Sequence, residues 1–159
     1  MWCENDVRWL YRLPASHAWE SGLPIESDVA FRDKTGRVRL VLEKGGRIVV
    51  MRGYAWNGCS PKFCLCDILM GTPDGVVDAR TGKPKTYYAT LVHDALCQFL
   101  PDGLPLSRGE VDRCFLALLA ESGFRARWLY YASVRVFGLL VLPIERSLRG
   151  TSGTAMPLG

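Results

Sequence analysis

The chain contains two histidines, and one of them stands directly before a carboxylate in Leu91-Val92-His93-Asp94-Ala95-Leu96-Cys97. A histidine changes charge near neutral pH, so it can take a proton from water, and a carboxylate held against it fixes the tautomer and stabilises the imidazolium. Two other stretches belong with this one: Trp56-Asn57-Gly58-Cys59-Ser60-Pro61 upstream and Asp112-Arg113-Cys114-Phe115 downstream. The other histidine, His17, lies between Ser16 and Ala18 and reads as a surface residue.

Two helices must position these groups. Thr86 to Leu100 has helical periodicity, with Tyr88, Ala89, Leu91, Val92, Ala95, Leu96 and Phe99 on one face and His93 at its border. His93 is therefore expected half-buried, with Asp94 roughly a quarter turn further round. After the break at Pro101-Asp102-Gly103-Leu104-Pro105, Ser107-Arg108-Gly109-Glu110 has the S-x-x-E form of a capping box and starts a second helix. Asp112 falls inside the apolar arc made by Val111, Phe115, Leu116, Leu118 and Leu119. An unpaired carboxylate there would be costly, so a partner is expected, and His93 on an antiparallel neighbouring helix is the candidate. Two roles stay open for His93: a base, or a core residue satisfied by one hydrogen bond.

The Asn57-Gly58 turn, with Ser60-Pro61 behind it, favours a tight loop with exposed carbonyl oxygens. Such oxygens beside a side-chain oxygen suit a hard cation such as calcium, and an ordinary structural turn is the plainer alternative. Taken together, the stretches describe a His93/Asp112 dyad beside a cation site able to polarise a carbonyl or phosphoryl oxygen.

The remaining segments read as scaffold. Val29 to Arg52 alternates as strands, with turns at Asp33-Lys34-Thr35-Gly36 and Lys44-Gly45-Gly46, and makes a three-stranded antiparallel meander with one face for helices to cover. Residues 71–86 read as a loop or a pair of turns carrying two aspartates, Asp74 and Asp78, that are expected to be solvated. Arg125 to Arg149 is a third helical stretch. Arg135 and Pro143 interrupt it too early for a membrane span, so it is expected to be buried or interfacial. The fold class is α+β: a small antiparallel β-meander followed by about three helices, the antiparallel pair carrying His93 and Asp112. Residues 1–150 form a single domain, with 1–26 an irregular aromatic arm, 27–53 the meander, and 54–149 the motif loop and helices. Residues 151–159 are expected to be a disordered tail.

With 48% apolar and 23% charged residues, the chain can build one real core. The net charge of +4 is spread along it without a basic run, so a nucleic-acid partner is not expected. Arg125, Arg127, Arg146 and Arg149 flank the third helical stretch, which suits an anionic membrane surface as well as it suits solubility. The start Met1-Trp2-Cys3-Glu4-Asn5-Asp6 has no secretory character, so the six cysteines are expected as reduced thiols in the cytoplasm. Cys64-x-Cys66 lacks zinc-site spacing.

In order and spacing, the three blocks resemble the W-D-G-x-S-x-P, H-D-x-L-Y and D-x-x-F motifs of a small family of phage and bacterial proteins of unknown function. The resemblance covers roughly residues 29 to 140. At greater distance they are similar to the bacterial and fungal branch of the secreted phospholipase A2 superfamily. That resemblance implies a calcium-assisted ester hydrolase acting on phospholipid at a membrane surface. It would use His93 as base and Asp112 as its partner, with Asn57, the Gly58 carbonyl and Asp94 as ligands of Ca2+. The chain departs from these patterns in three places. Asn57 stands where both have aspartate, which removes a negative charge from the cation site; Cys97 replaces a tyrosine; and Leu96 replaces a disulfide cysteine. Two other functions fit the same residues. One is a non-catalytic phage virion or tail component, in which the dyad satisfies buried polarity and the arm and tail contact other virion proteins. The other is a metal-dependent hydrolase of peptidoglycan or a phosphodiester. The expected location is the cytoplasm or a virion.

Overall fold

The computed structural model describes residues 10–58, 62–65, 68–71, 74–140 and 155–157. Strands β1 (Tyr11–Arg12) and β2 (His17–Glu20) come first, followed by the meander β3 (Val29–Arg32), β4 (Val38–Glu43) and β5 (Arg47–Val50). Its turns are made locally. The Asp33 carboxylate accepts from Thr35 N, Thr35 Oγ1, Arg37 N and Arg39 Nε at 2.6–3.1 Å, which holds it far below the usual carboxylate range. In the second turn Gly46 has φ +106°, and a Cβ there would lie 2.5 Å from the Leu23 carbonyl oxygen, so only glycine fits. Leu40, Leu42, Ile48 and Val50 turn one face of the meander into the core.

Short strands continue the chain. β6 (Ala55–Trp56) pairs with β1, β7 (Lys62–Leu65) with β8 (Ile68–Gly71), and β9 (Val77–Asp78) with β10 (Lys83–Pro84). The last strand, β11 (Ala155–Pro157), completes a five-stranded sheet of order β11-β3-β4-β5-β2.

Three expectations are corrected here. Within 10–26 the aromatic arm is not irregular: β2 pairs with β5 from His17↔Val50 to Glu20↔Arg47, and Trp19 Nε1 donates to the Glu121 carboxylate at 3.0 and 3.1 Å. Within the tail, 155–157 is not disordered, because β11 pairs with β3 at Ala155↔Phe31, Met156↔Ala30 and Pro157↔Val29. The reason is common to both: the outer strands of a three-stranded meander present unpaired N–H and C=O groups that extended segments satisfy. Residues 71–86 are likewise not all loop, since the pair β9–β10 folds there. Residues 1–9 of the arm, Cys59–Pro61 of the motif loop, 141–149 of the third helical stretch, and 150–154 and 158–159 lie outside the described residues.

The helices are α1 (Tyr87–Phe99), α2 (Arg108–Glu121) and α3 (Arg127–Leu140). A 3-10 turn at Leu100–Asp102, closed by Gly103, returns the chain so that α2 packs against α1. The capping box forms as the sequence requires: Ser107 Oγ accepts from Glu110 N, and Glu110 Oε2 accepts from Ser107 N at 2.7 Å. Leu91, Val92, Ala95, Leu96 and Phe99 of α1 are buried between the sheet and Val111, Phe115, Leu118 and Leu119 of α2. Tyr130 and Val134 seat α3 on α2, while Trp128, Leu129 and Val136 are exposed. Among the described residues, no helix is long and apolar enough to cross a membrane.

Candidate active site

The short connection between α1 and α2 brings the middle of α1 beside the first turns of α2. His93 Nε2 lies 2.9 Å from Asp112 Oδ1, and the two residues are only 6% and 1% exposed. A carboxylate accepts, so Nε2 carries the hydrogen, and in the neutral imidazole the lone pair is at Nδ1. His93 is more deeply buried than its border position on α1 implies, because the Phe115 ring covers it from α2 at 4.9 Å between centroids.

Asp112 has two further partners. Arg108 Nε donates to Oδ1 at 2.9 Å from one turn earlier on α2, and Arg135 Nη1 of α3 lies 3.4 Å from Oδ2. Arg108 is itself clamped by α3: its Nη2 donates to Val134 O at 3.4 Å, and a Cβ on Gly138 would come within 2.9 Å of Nη2. Burial raises the carboxyl pKa of Asp112, but the His93 hydrogen bond and the Arg108 charge outweigh it and hold the pKa below the usual value. For His93, burial disfavours the imidazolium. The Cys97 sulfur and the carboxylates of Asp112 and Asp94 outweigh that effect, so its pKa stands well above an ordinary histidine's.

Two more groups lie close to the imidazole, and Tyr54 is a neighbour of both. Cys97, one turn along α1, has its sulfur 3.8 Å from Nδ1 and 3.6 Å from Nε2. Asp94 Oδ1 is 3.9 Å from Nδ1, too far for a hydrogen bond, and its side chain is 25% exposed. Tyr54 Oη donates to Gln98 Oε1 at 3.0 Å; burial, then Asp94 and Cys97, push its phenol well up. By contrast the buried thiol of Cys114 is pushed up to about 11 by desolvation.

The Asn57-Gly58 loop approaches α1 through Trp56, whose indole N–H donates to Thr90 Oγ1 at 3.1 Å. Thr90 and Asp94 are i, i+4 neighbours on one helix face, so Trp56 anchors the loop one turn away from Asp94. Asn57 Oδ1 accepts from Leu10 N at 3.2 Å. Gly58, at φ +73°, packs directly against the Asp74 carboxylate, which also accepts from Tyr11 Oη at 3.0 Å. The Thr86 hydroxyl donates to the Asp74 carbonyl. Asp74 is thus not merely solvated, as loop position alone suggests: it ties β1, the motif loop and the start of α1 together.

As a cation site, Asn57 Oδ1, the Gly58 carbonyl and the Asp94 carboxylate are all oxygens and fit a hard ion in kind. They bring a single negative charge, and calcium takes roughly six to eight oxygens, so water would complete the shell. Among the described residues no three His, Cys, Asp or Glu are grouped to hold a metal, so such an ion would depend on amide and carbonyl oxygens. The open groove beside Ile25 and Pro105 has Glu26 and Ser27 as its polar side chains and holds no histidine.

Arg108, Arg135 and Cys97 were not assigned to the site by sequence, yet each left a signal. Arg108 stands four residues before Asp112 and Cys97 four after His93, which puts each pair on one helix face. Arg135 interrupts an otherwise apolar stretch.

Compared with protein-family models, curated proteins and solved structures, the chain matches none.

Proposed function

We propose that the chain is a phospholipase A2-like ester hydrolase in which His93, oriented by Asp112, is the base that activates water. The observation that carries this reading is the 2.9 Å bond between His93 Nε2 and Asp112 Oδ1, which commits one ring nitrogen and leaves Nδ1 for proton transfer. Asn57, Gly58 and Asp94 would hold Ca2+, whose charge would polarise the ester carbonyl. The exposed Trp128, Leu129 and Val136 of α3, with Arg125 and Arg127 at its start, form the kind of face that rests on an anionic lipid surface and support phospholipid as the substrate class.

Two measurements test this. Calcium should raise the melting temperature of the wild type and not of Asp94→Asn; no shift up to millimolar calcium counts against the cation. Phospholipid vesicles should be hydrolysed by the wild type and not by a folded His93→Gln. Peptidoglycan or a phosphodiester cleaved in place of the lipid would move the same base to another substrate.

A second reading is favoured by one observation: Asp112 is almost fully buried and shared among His93, Arg108 and Arg135, which is also how a purely structural polar network is satisfied. On that reading the chain is a non-catalytic phage virion or tail component, and neither assay responds.

A further inference from the structure

Direct attack by water leaves one nucleophilic group of the site without a role. The Cys97 sulfur sits against the imidazole ring, 3.8 Å from Nδ1 and 3.6 Å from Nε2. His93 itself is nearly closed off, at 6% exposure, whereas Cys97 is only partly buried. Cys97 is thus the more accessible of the two side chains.

We propose that Cys97 is the nucleophile of this site and carries the acyl group as a thioester, with His93 as its base and Asp112 as the group that orients His93. The proposal rests on the ester-hydrolase reading above and changes the atom that attacks. A nucleophile, a base and an orienting acid are present within contact distance of one another: Cys97 to His93 Nδ1, then His93 Nε2 to Asp112 Oδ1 at 2.9 Å. The other described free thiol, Cys114, is buried and lacks this arrangement. Arg108 and Arg135 keep the Asp112 charge compensated whichever state His93 is in, so the imidazole can gain and lose a proton without leaving a bare buried carboxylate.

The steps balance without any oxidant or reductant. The Cys97 proton passes to Nδ1 as the sulfur–carbon bond forms; the carbon–oxygen bond to the alcohol breaks, and the alcohol leaves with the proton from Nδ1. Water then gives a proton to Nδ1 and bonds to the thioester carbon; the carbon–sulfur bond breaks, and sulfur takes the proton back. The sum is ester plus water giving acid plus alcohol, and the water activated by His93 acts in the second half.

The test uses the full chain with a short-chain 4-nitrophenyl ester, acid quench, intact mass and peptide mapping, on wild type, Cys97→Ala, Cys97→Ser and His93→Gln. Melting curves identify folded variants. The expected result is one acyl group on Cys97, absent from Cys97→Ala and formed at least about a hundredfold more slowly in His93→Gln. Turnover should be lost in Cys97→Ala, and Cys97→Ser serves if the alanine variant does not fold. Hydrolysis retained in Cys97→Ala, with no acyl on Cys97 of the wild type, overturns the proposal and leaves the water-based hydrolase standing. Acylation at an equal rate in His93→Gln marks an ordinary thiol and also overturns it. Neither hydrolysis nor adduct in the wild type overturns the covalent route and the ester-hydrolase reading together.

Discussion

Arg108 and Asp112 face each other across one turn of α2, with Arg108 Nε 2.9 Å from the same carboxylate oxygen that His93 Nε2 meets at 2.9 Å. A single oxygen thus serves a permanent cation and a titratable one. The consequence is that Asp112 stays ionised whether or not His93 is charged, which a simple His–Asp pair would not secure.

Asp112→Asn should therefore be costly even though it is nearly isosteric. It leaves the Arg108 and Arg135 guanidiniums without a counter-charge and costs about 3 kcal/mol, or a drop of about 10 °C in melting temperature for a chain of this size. A melting temperature equal to the wild type's would show that the network contributes no net stability.

The two histidines should act on stability in opposite directions. Burial lowers the His17 pKa below its unfolded value; its ring stacks on Tyr88 at 4.2 Å, and its Nε2 is buried with no hydrogen-bond partner. Between the lowered folded pKa and about 6.5 the unfolded chain binds the extra proton, so stability should fall as pH drops through that window. His93 has a raised folded pKa, so its contribution is complete below about 6.5 and is lost as pH rises through the folded value. Melting curves from pH 5 to 9 on His17→Gln and His93→Gln separate them: the first should flatten the acid side, the second the alkaline side.

Gly58→Ala should destabilise by more than about 1 kcal/mol, because the position has φ +73° and the new Cβ would strike the Asp74 carboxylate. In an Asp74→Ala background the collision disappears and only the backbone strain remains. Urea midpoints for the four proteins of this cycle should therefore give a smaller cost in the double variant, and equal costs would show that Asp74 yields freely.

Ser107→Ala should cost about 1 kcal/mol through loss of the α2 cap, whereas Ser107→Asp should keep most of it. Because this cap fixes where α2 begins, Ser107→Ala should also loosen the Arg108–Asp112 register, measurable as faster amide exchange across the first turn.

Much of this was legible in the chain because it is local. The Ser107–Glu110 box spans one turn, the Asp33 turn spans five residues, and the place of Asp112 in an apolar arc follows from helical geometry. From that arc the need for a partner could be argued, and His93 could be named. Arg108 is equally local, four residues from Asp112, but the capping box in which it stands is complete with Ser107 and Glu110 alone and assigns it no partner.

By itself the sequence determined the helices, the start of α2, the meander and the requirement that Asp112 be paired, since these depend on propensity, turn chemistry and the cost of burying a charge. Only the tertiary structure decided that β2 and β11 flank the meander, that Arg135 reaches Asp112 from α3, that Asp74 packs on Gly58, and that the Cys97 sulfur sits against His93. The first three join distant segments, and the last depends on side-chain directions once α2 has closed over α1. No local pattern encodes the first three, because chain segments remote in sequence choose partners by which edges, charges and surfaces the finished core leaves unsatisfied.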